Sequence, residues 1–156
     1  MLVASVGYST ALDLGLTRAF ADDGSDRLTF GSLESLVSLM QETPVQKLLP
    51  ALVDQLRAGI GVGELVKAAA LANARTFGGE DYIGFHTAMA LSPALSMARE
   101  LPTERQALPV FKVLYRNTNR MNEFGGRSSE VLHPVEAGTL PEGRVAGEVL
   151  RDTVRT

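Results

Sequence analysis

Apolar residues recur along most of this chain at intervals of three and four, the spacing that gathers them on one face of an α-helix. From Gly31 to Met40, Leu33, Leu36, Val37 and Met40 fall on one side, and Ser32, Glu34, Ser35 and Ser38 on the other. An earlier helix over residues 4–20 is predicted from Leu12, Leu14, Leu16 and Phe20, with Thr10 near its start and an Asp- and Gly-rich turn after it. Thr43-Pro44-Val45-Gln46 has the form of a capping box with proline at the first helical position, so another helix begins there. Pro50 predicts either a kink or a turn that feeds a second helix from Pro50 to Ala58, with Leu52, Val53 and Leu56 inward and Gly59 as the stop.

Gly61-Val62-Gly63 opens a central helix whose apolar face, Leu65, Val66, Ala69, Ala70 and Ala74, has small side chains that permit close helix approach. Gly78-Gly79 ends it by allowing the left-handed conformation. The next helix starts at Asp81 and carries Ile83, Phe85, Met89, Leu91 and Leu95, with Ser92-Pro93 as a kink or new start. Thr103-Glu104-Arg105-Gln106 is a second capping box, followed by Pro109 and by Val110, Phe111, Val113 and Leu114. Its likeness to Thr43–Pro50 hints at a helical repeat offset by about sixty residues. That helix runs on to Glu123 and stops at Gly125-Gly126. A loop containing His133-Pro134 follows, and Thr139-Leu140-Pro141-Glu142 opens a last helix with Val145, Val149, Leu150 and Val154. No segment alternates with period two. The pattern predicts an all-α fold, a compact array of seven or eight short helices in one domain over 1–156.

Composition agrees with one globular core, since 45% of residues are apolar and 21% charged. With six Phe, three Tyr and no Trp, that core must be filled by Leu, Val, Ala and Met; Met40, Met89, Met97 and Met121 are expected there. A net charge of -3 without any Lys/Arg cluster argues against nucleic acid or an anionic membrane as partner. The apolar residues 1–6 lack a preceding basic segment and are too few for a signal or a membrane span, which predicts a cytoplasmic protein. The absence of cysteine removes disulfides, thiolate ligands and thiol nucleophiles. Chemistry must then rest on His, carboxylates, hydroxyls or an external cofactor, whose identity no residue pattern names.

His86 is the first candidate. On a helix from Asp81 it shares a face with Tyr82 and Met89, and its charge changes near neutral pH. The plain alternative is a half-buried histidine near a helix start whose acids, Glu80 and Asp81, favour the helix dipole. Only two histidines exist, His86 and His133, and the sequence contains neither His-Glu-x-x-His nor the Glu-x-x-His pair of di-iron bundles. A site joining both to a carboxylate stays open. The second candidate is Tyr115 to Glu123. Arg116, Arg120 and Glu123 share one face, Tyr115, Asn119 and Asn122 another, and three Asn in six residues lower helix propensity, which suggests a use. It is either a solvated face or a wall for a polar substrate, with Arg gripping a carboxylate or phosphate. Gly59-x-Gly61-x-Gly63 and Gly78-Gly79 read as helix punctuation, because no strand precedes them and no Lys-Ser/Thr follows.

The run Glu64–Asn73 followed by Gly79-Glu80-Asp81-Tyr82-Ile83-Gly84-Phe85-His86-Thr87-Ala88-Met89-Ala90 resembles the core of the AhpD-like and carboxymuconolactone decarboxylase family, in which a Cys-x-x-Cys-x-x-x-His motif opens a helix. Gly79 and Tyr82 stand at the two cysteine positions and His86 at the histidine. The resemblance implies an all-helical, often oligomeric fold without the family's peroxidase chemistry, and a proton-moving histidine as in its cysteine-free branch; the small-residue helices and apolar fraction of the chain themselves suit a homo-oligomer. Together these readings make His86 and Tyr82 the expected catalytic residues, Arg116, Asn119 and Arg120 the expected contacts to a small organic acid, and self-association the expected partner choice. The competing expectation is a non-catalytic helical interaction module, alone or as one piece of a larger helical-repeat protein, with His86 packed or fully exposed and no cavity near it.

Overall fold

The computed structural model describes residues 27–135, 143 and 145–154, and within them every regular element is helical. Six α-helices occur among the described residues: α1 (Glu34–Glu42), α2 (Val45–Arg57), α3 (Val62–Phe77), α4 (Tyr82–Glu100), α5 (Ala107–Phe124) and α6 (Ala146–Val154). Short 3-10 turns at Gly31–Leu33, Thr103–Arg105 and Gly126–Ser129 connect or precede them. The all-α class therefore holds, with six helices among the described residues against seven or eight expected over the whole chain. The helix expected over residues 4–20 and the capping signature at Thr139–Glu142 lie outside the described residues.

Part of the difference comes from proline. Neither Pro50 nor Pro93 divides its helix: α2 continues for 13 residues and α4 for 19. Both prolines are exposed, so the carbonyls they leave without an amide partner, at Gln46 and Met89, lie toward solvent. Pro109 is the third residue of α5, in the first turn, where an N–H would have no helical partner anyway. The two expected Thr capping boxes do not form. Pro44 caps α2 without a side-chain bond, and Thr103 enters a 3-10 turn. The free amide at the start of α2, on Val45, instead donates to Asn122 Oδ1 of α5 at 3.0 Å. The suggested repeat between the two segments accordingly has no counterpart in their helix starts.

Helix α3 runs through the middle, packed on α1, α4 and α5, while α4 and α5 form an antiparallel hairpin and α2 covers α5. Its buried positions are Leu65, Val66, Ala68, Ala69, Ala72 and Asn73, and then an unbroken run of Arg75, Thr76 and Phe77. Ala68 is buried where the period suggested Ala70, which is exposed. The core is completed by Val37 and Met40 of α1, Leu48 and Leu52 of α2, Leu91, Ala94 and Ala98 of α4, and Val110, Leu114 and Met121 of α5. Gly78 ends α3 at φ 57°. Gly84 in α4 is required for another reason: a Cβ there would lie 2.5 Å from the Phe77 ring, so the ring rests directly on the α4 backbone. Helix α6 contributes no buried residue, and Val145, Leu150 and Val154 are exposed.

Candidate functional site

The sequence-predicted residues divide among three places. Tyr82 and His86 lie on the outer face of α4, both exposed, with ring centroids 4.3 Å apart. The His86 Nδ1–H donates to the Tyr82 carbonyl at 2.7 Å, since a carbonyl can only accept, and this leaves Nε2 without a partner among the described residues.

Arg120 is engaged a turn away. Its Nη2 and Nε grip Asp81 at 2.6 and 3.0 Å, and its Nη1 reaches Glu123 at 3.4 Å, the i, i+3 pair read from the spacing. Asp81 also accepts the Gly84 amide at 2.6 Å and so caps α4. The hydrogen bond from Arg120 holds the Asp81 carboxyl below the usual carboxylate range, and Asp81 in return raises the Arg120 guanidinium above its ordinary value. Asn119 donates to Glu123 at 2.6 Å. The third place is a groove of about 400 Å³ between α2 and α5, lined by Leu49, Leu108, Phe111, Lys112, Tyr115 and Arg116. Arg116 lines it; His86, Tyr82, Asn119 and Arg120 are not among its lining residues.

Two features escape a residue-by-residue reading. One is a polar interior. Arg75 has no exposed surface, yet Nη1 bonds the Leu28 carbonyl at 2.9 Å and Glu34 at 2.7 Å, Nη2 bonds Gln41 at 2.7 Å, and Glu130 lies 3.3 Å from Nε. Arg27 closes the cluster on Glu130 at 2.8 Å; burial opposes the Arg27 charge, but the Glu130 hydrogen bond and the charges of Glu130, Glu34 and Glu42 together outweigh it and raise its pKa. Nearby, Asn73 donates to Asn117 at 2.6 Å and to the Gly84 carbonyl at 2.9 Å, and Asn117 donates to the Ala69 carbonyl at 3.1 Å, tying α3, α4 and α5 together. Among the described residues no buried side-chain nitrogen or oxygen lacks a partner. The propensity cost of Asn in α5 thus meets a structural use at Asn117 and Asn122.

The second feature is an apolar exterior. Tyr82 (77% exposed), Phe85, Met89 (50%) and Met97 (57%) stand out from α4, with His86 and Pro93 among them. Met40 and Met121 are fully buried as expected of core residues, whereas Met89 and Met97 are not. A signal for this stripe was present in the chain: residues 82–98 contain no Asp, Glu, Lys or Arg, so α4 has apolar residues on both faces.

The one Glu-x-x-His spacing, Glu130-Val131-Leu132-His133, lies outside the α-helices, and its Glu130 is committed to Arg27 and Arg75. Among the described residues no three His, Asp or Glu gather to hold a metal ion, and no helix is long and apolar enough to cross a membrane. No protein-family model, curated protein or solved structure matches this chain.

Proposed function

We propose that this chain is a helical interaction module that pairs with a second copy of itself through the outer face of α4. The observation that carries this reading is the charge-free exposed stripe of Tyr82, Phe85, Met89 and Met97. A stripe of aromatic and Met side chains on a helix is the composition of docking surfaces. Self-pairing follows from charge. In a two-fold interface each patch meets its own kind, and a face without Asp, Glu, Lys or Arg can do so without bringing like ionised groups together. Those charges stand only at the ends, Glu80 and Asp81 before α4 and Arg99 and Glu100 at its close, with Asp81 already held by Arg120, so antiparallel pairing keeps them at the rim of the stripe. The stripe from Tyr82 to Met97 is about 24 Å long on a helix roughly 10 Å wide, short of the roughly 800 Å² per partner of a standard interface. The dimer should therefore dissociate on dilution.

Sedimentation velocity over a concentration series tests this. The natural chain should shift from monomer to dimer with concentration, and Met89→Glu, which sets two carboxylates face to face, should stay monomeric with an unchanged helical circular dichroism spectrum. A natural chain that is monomeric throughout, or a dimer indifferent to Met89→Glu and Phe85→Lys, overturns the reading.

One observation favours a second reading. With Nδ1 engaged by the Tyr82 carbonyl, Nε2 is the ring nitrogen of His86 left open for proton transfer, in line with the AhpD-like resemblance and a small organic acid as substrate. His86→Ala should then abolish turnover of such an acid with an unchanged helical circular dichroism spectrum.

A further inference from the structure

We infer that the groove between α2 and α5 binds a small amphipathic monocarboxylate, independently of the α4 face. Its volume of about 400 Å³ lies within the range of small-molecule sites. Leu108, Lys112 and Arg116 follow one another at i, i+4 spacing on α5, and Phe111 and Tyr115 form the parallel row. The first row therefore runs from an apolar end at Leu108, which is 62% exposed, to two cations. Leu49 of α2 faces these rows across the groove. Adjacent like charges on a helix disfavour it slightly, and neither Lys112 nor Arg116 has an ion-pair partner among the described residues, a condition shared with Lys47, Lys67, Arg99 and Arg105 but not with Arg27, Arg57, Arg75, Arg120, Arg127 and Arg151. Of these unpaired cations, Lys112 and Arg116 are the two that line the groove, and no carboxylate lines it with them. A ligand that supplies one, with a short alkyl or aryl body to cover Leu49, Leu108 and Phe111, matches the groove in both charge and polarity. Arg116 offers two parallel N–H donors to a carboxylate, Lys112 a point charge, and the Tyr115 hydroxyl one further donor.

The test is isothermal titration of the full chain with octanoate and, in parallel, with octanamide, which keeps the length and polarity of the head but removes its charge. Octanoate should bind saturably at one per chain, and octanamide at least about tenfold more weakly, the loss of one charge-assisted contact. The Lys112→Gln/Arg116→Gln double variant should remove that preference, and Leu108→Asp should abolish binding. All three positions line an open groove, so circular dichroism should report unchanged folding. Absence of saturation by octanoate up to about 10 mM, equal affinity for octanamide, or full affinity in the double variant would each overturn the inference. Binding of more than one octanoate per chain would also do so, because it would mark nonspecific adsorption.

Discussion

The C-terminal end of α3 and the outer face of α4 are neighbours in the chain and opposite in what they bury. At Asn73, Arg75 and Thr76 the molecule encloses charge and amide groups; at Tyr82, Phe85, Met89 and Met97, only a few residues later, it leaves large apolar groups outside. The difference lies in the partners each side chain can reach. Arg75 is surrounded by four acceptors from α1, residue 28 and the segment after α5, so its charge is answered where it lies. Helix α4 has two apolar faces but one set of neighbours, α3 and α5, and the second face is left over. Burial thus follows the tertiary partner and not hydropathy alone.

Substitutions can break this contrast, beginning with the most costly. Arg75→Met should destabilise the fold by about 3–5 kcal/mol, because it leaves Glu34 and Glu130 without their buried cation; urea denaturation monitored by circular dichroism reads it, and a loss below about 1 kcal/mol would mean that the cluster is not closed in solution. Gly84→Ala should cost roughly 1–3 kcal/mol by forcing a methyl into the Phe77 ring. Combined with Phe77→Leu, the two losses should be less than additive in a double-mutant cycle.

Asp81→Asn keeps a side-chain acceptor for the α4 cap but gives up the charge pair with Arg120, and should cost up to about 1 kcal/mol, with a definite pH dependence. Arg120 lowers the Asp81 pKa in the folded chain, so the ionised form contributes stability above the unfolded value, about 3.9, and that contribution is lost as pH falls through the lower folded value. The stability gap between natural chain and variant should be constant near neutrality and close in acid below about pH 4; a gap that widens in acid would contradict the pairing. The smallest effect on stability belongs to the other region. Met89→Glu should change the folding free energy by no more than about 0.5 kcal/mol while removing self-association, so that one face carries stability and the other carries contact.

How much of this was legible in the chain varied with the range of the interaction. The helix starts at Gly61 and Asp81, the glycine stops at Gly59, Gly78 and Gly125, and the core positions Leu36, Val37, Met40, Leu52 and Leu65 depend on residues within two turns, and the period identified them. The start of α2 was placed almost correctly for a reason that does not operate, because its amide is satisfied by Asn122, 77 positions away. Of the candidate residues, the Arg120–Glu123 pair was visible as local spacing, whereas the Arg120–Asp81 pair spans 39 positions and requires the α4–α5 hairpin to exist first. Arg116 and Asn119, three residues apart, go to a groove and to Glu123, a separation that depends on which neighbour each helix face meets.

By itself, then, the order of residues determined that this protein is helical, where most helices begin and end, and that residues 82–98 would be free of charge, because these follow from spacing and from backbone preferences of Gly and Pro. Only the tertiary structure decided that Arg75 and Asn117 lie inside and that Met89 and Met97 lie outside. A polar group is buried when distant segments bring it acceptors, and an apolar one is exposed when no segment is left to cover it; both conditions are set by packing among α1, α3, α4 and α5.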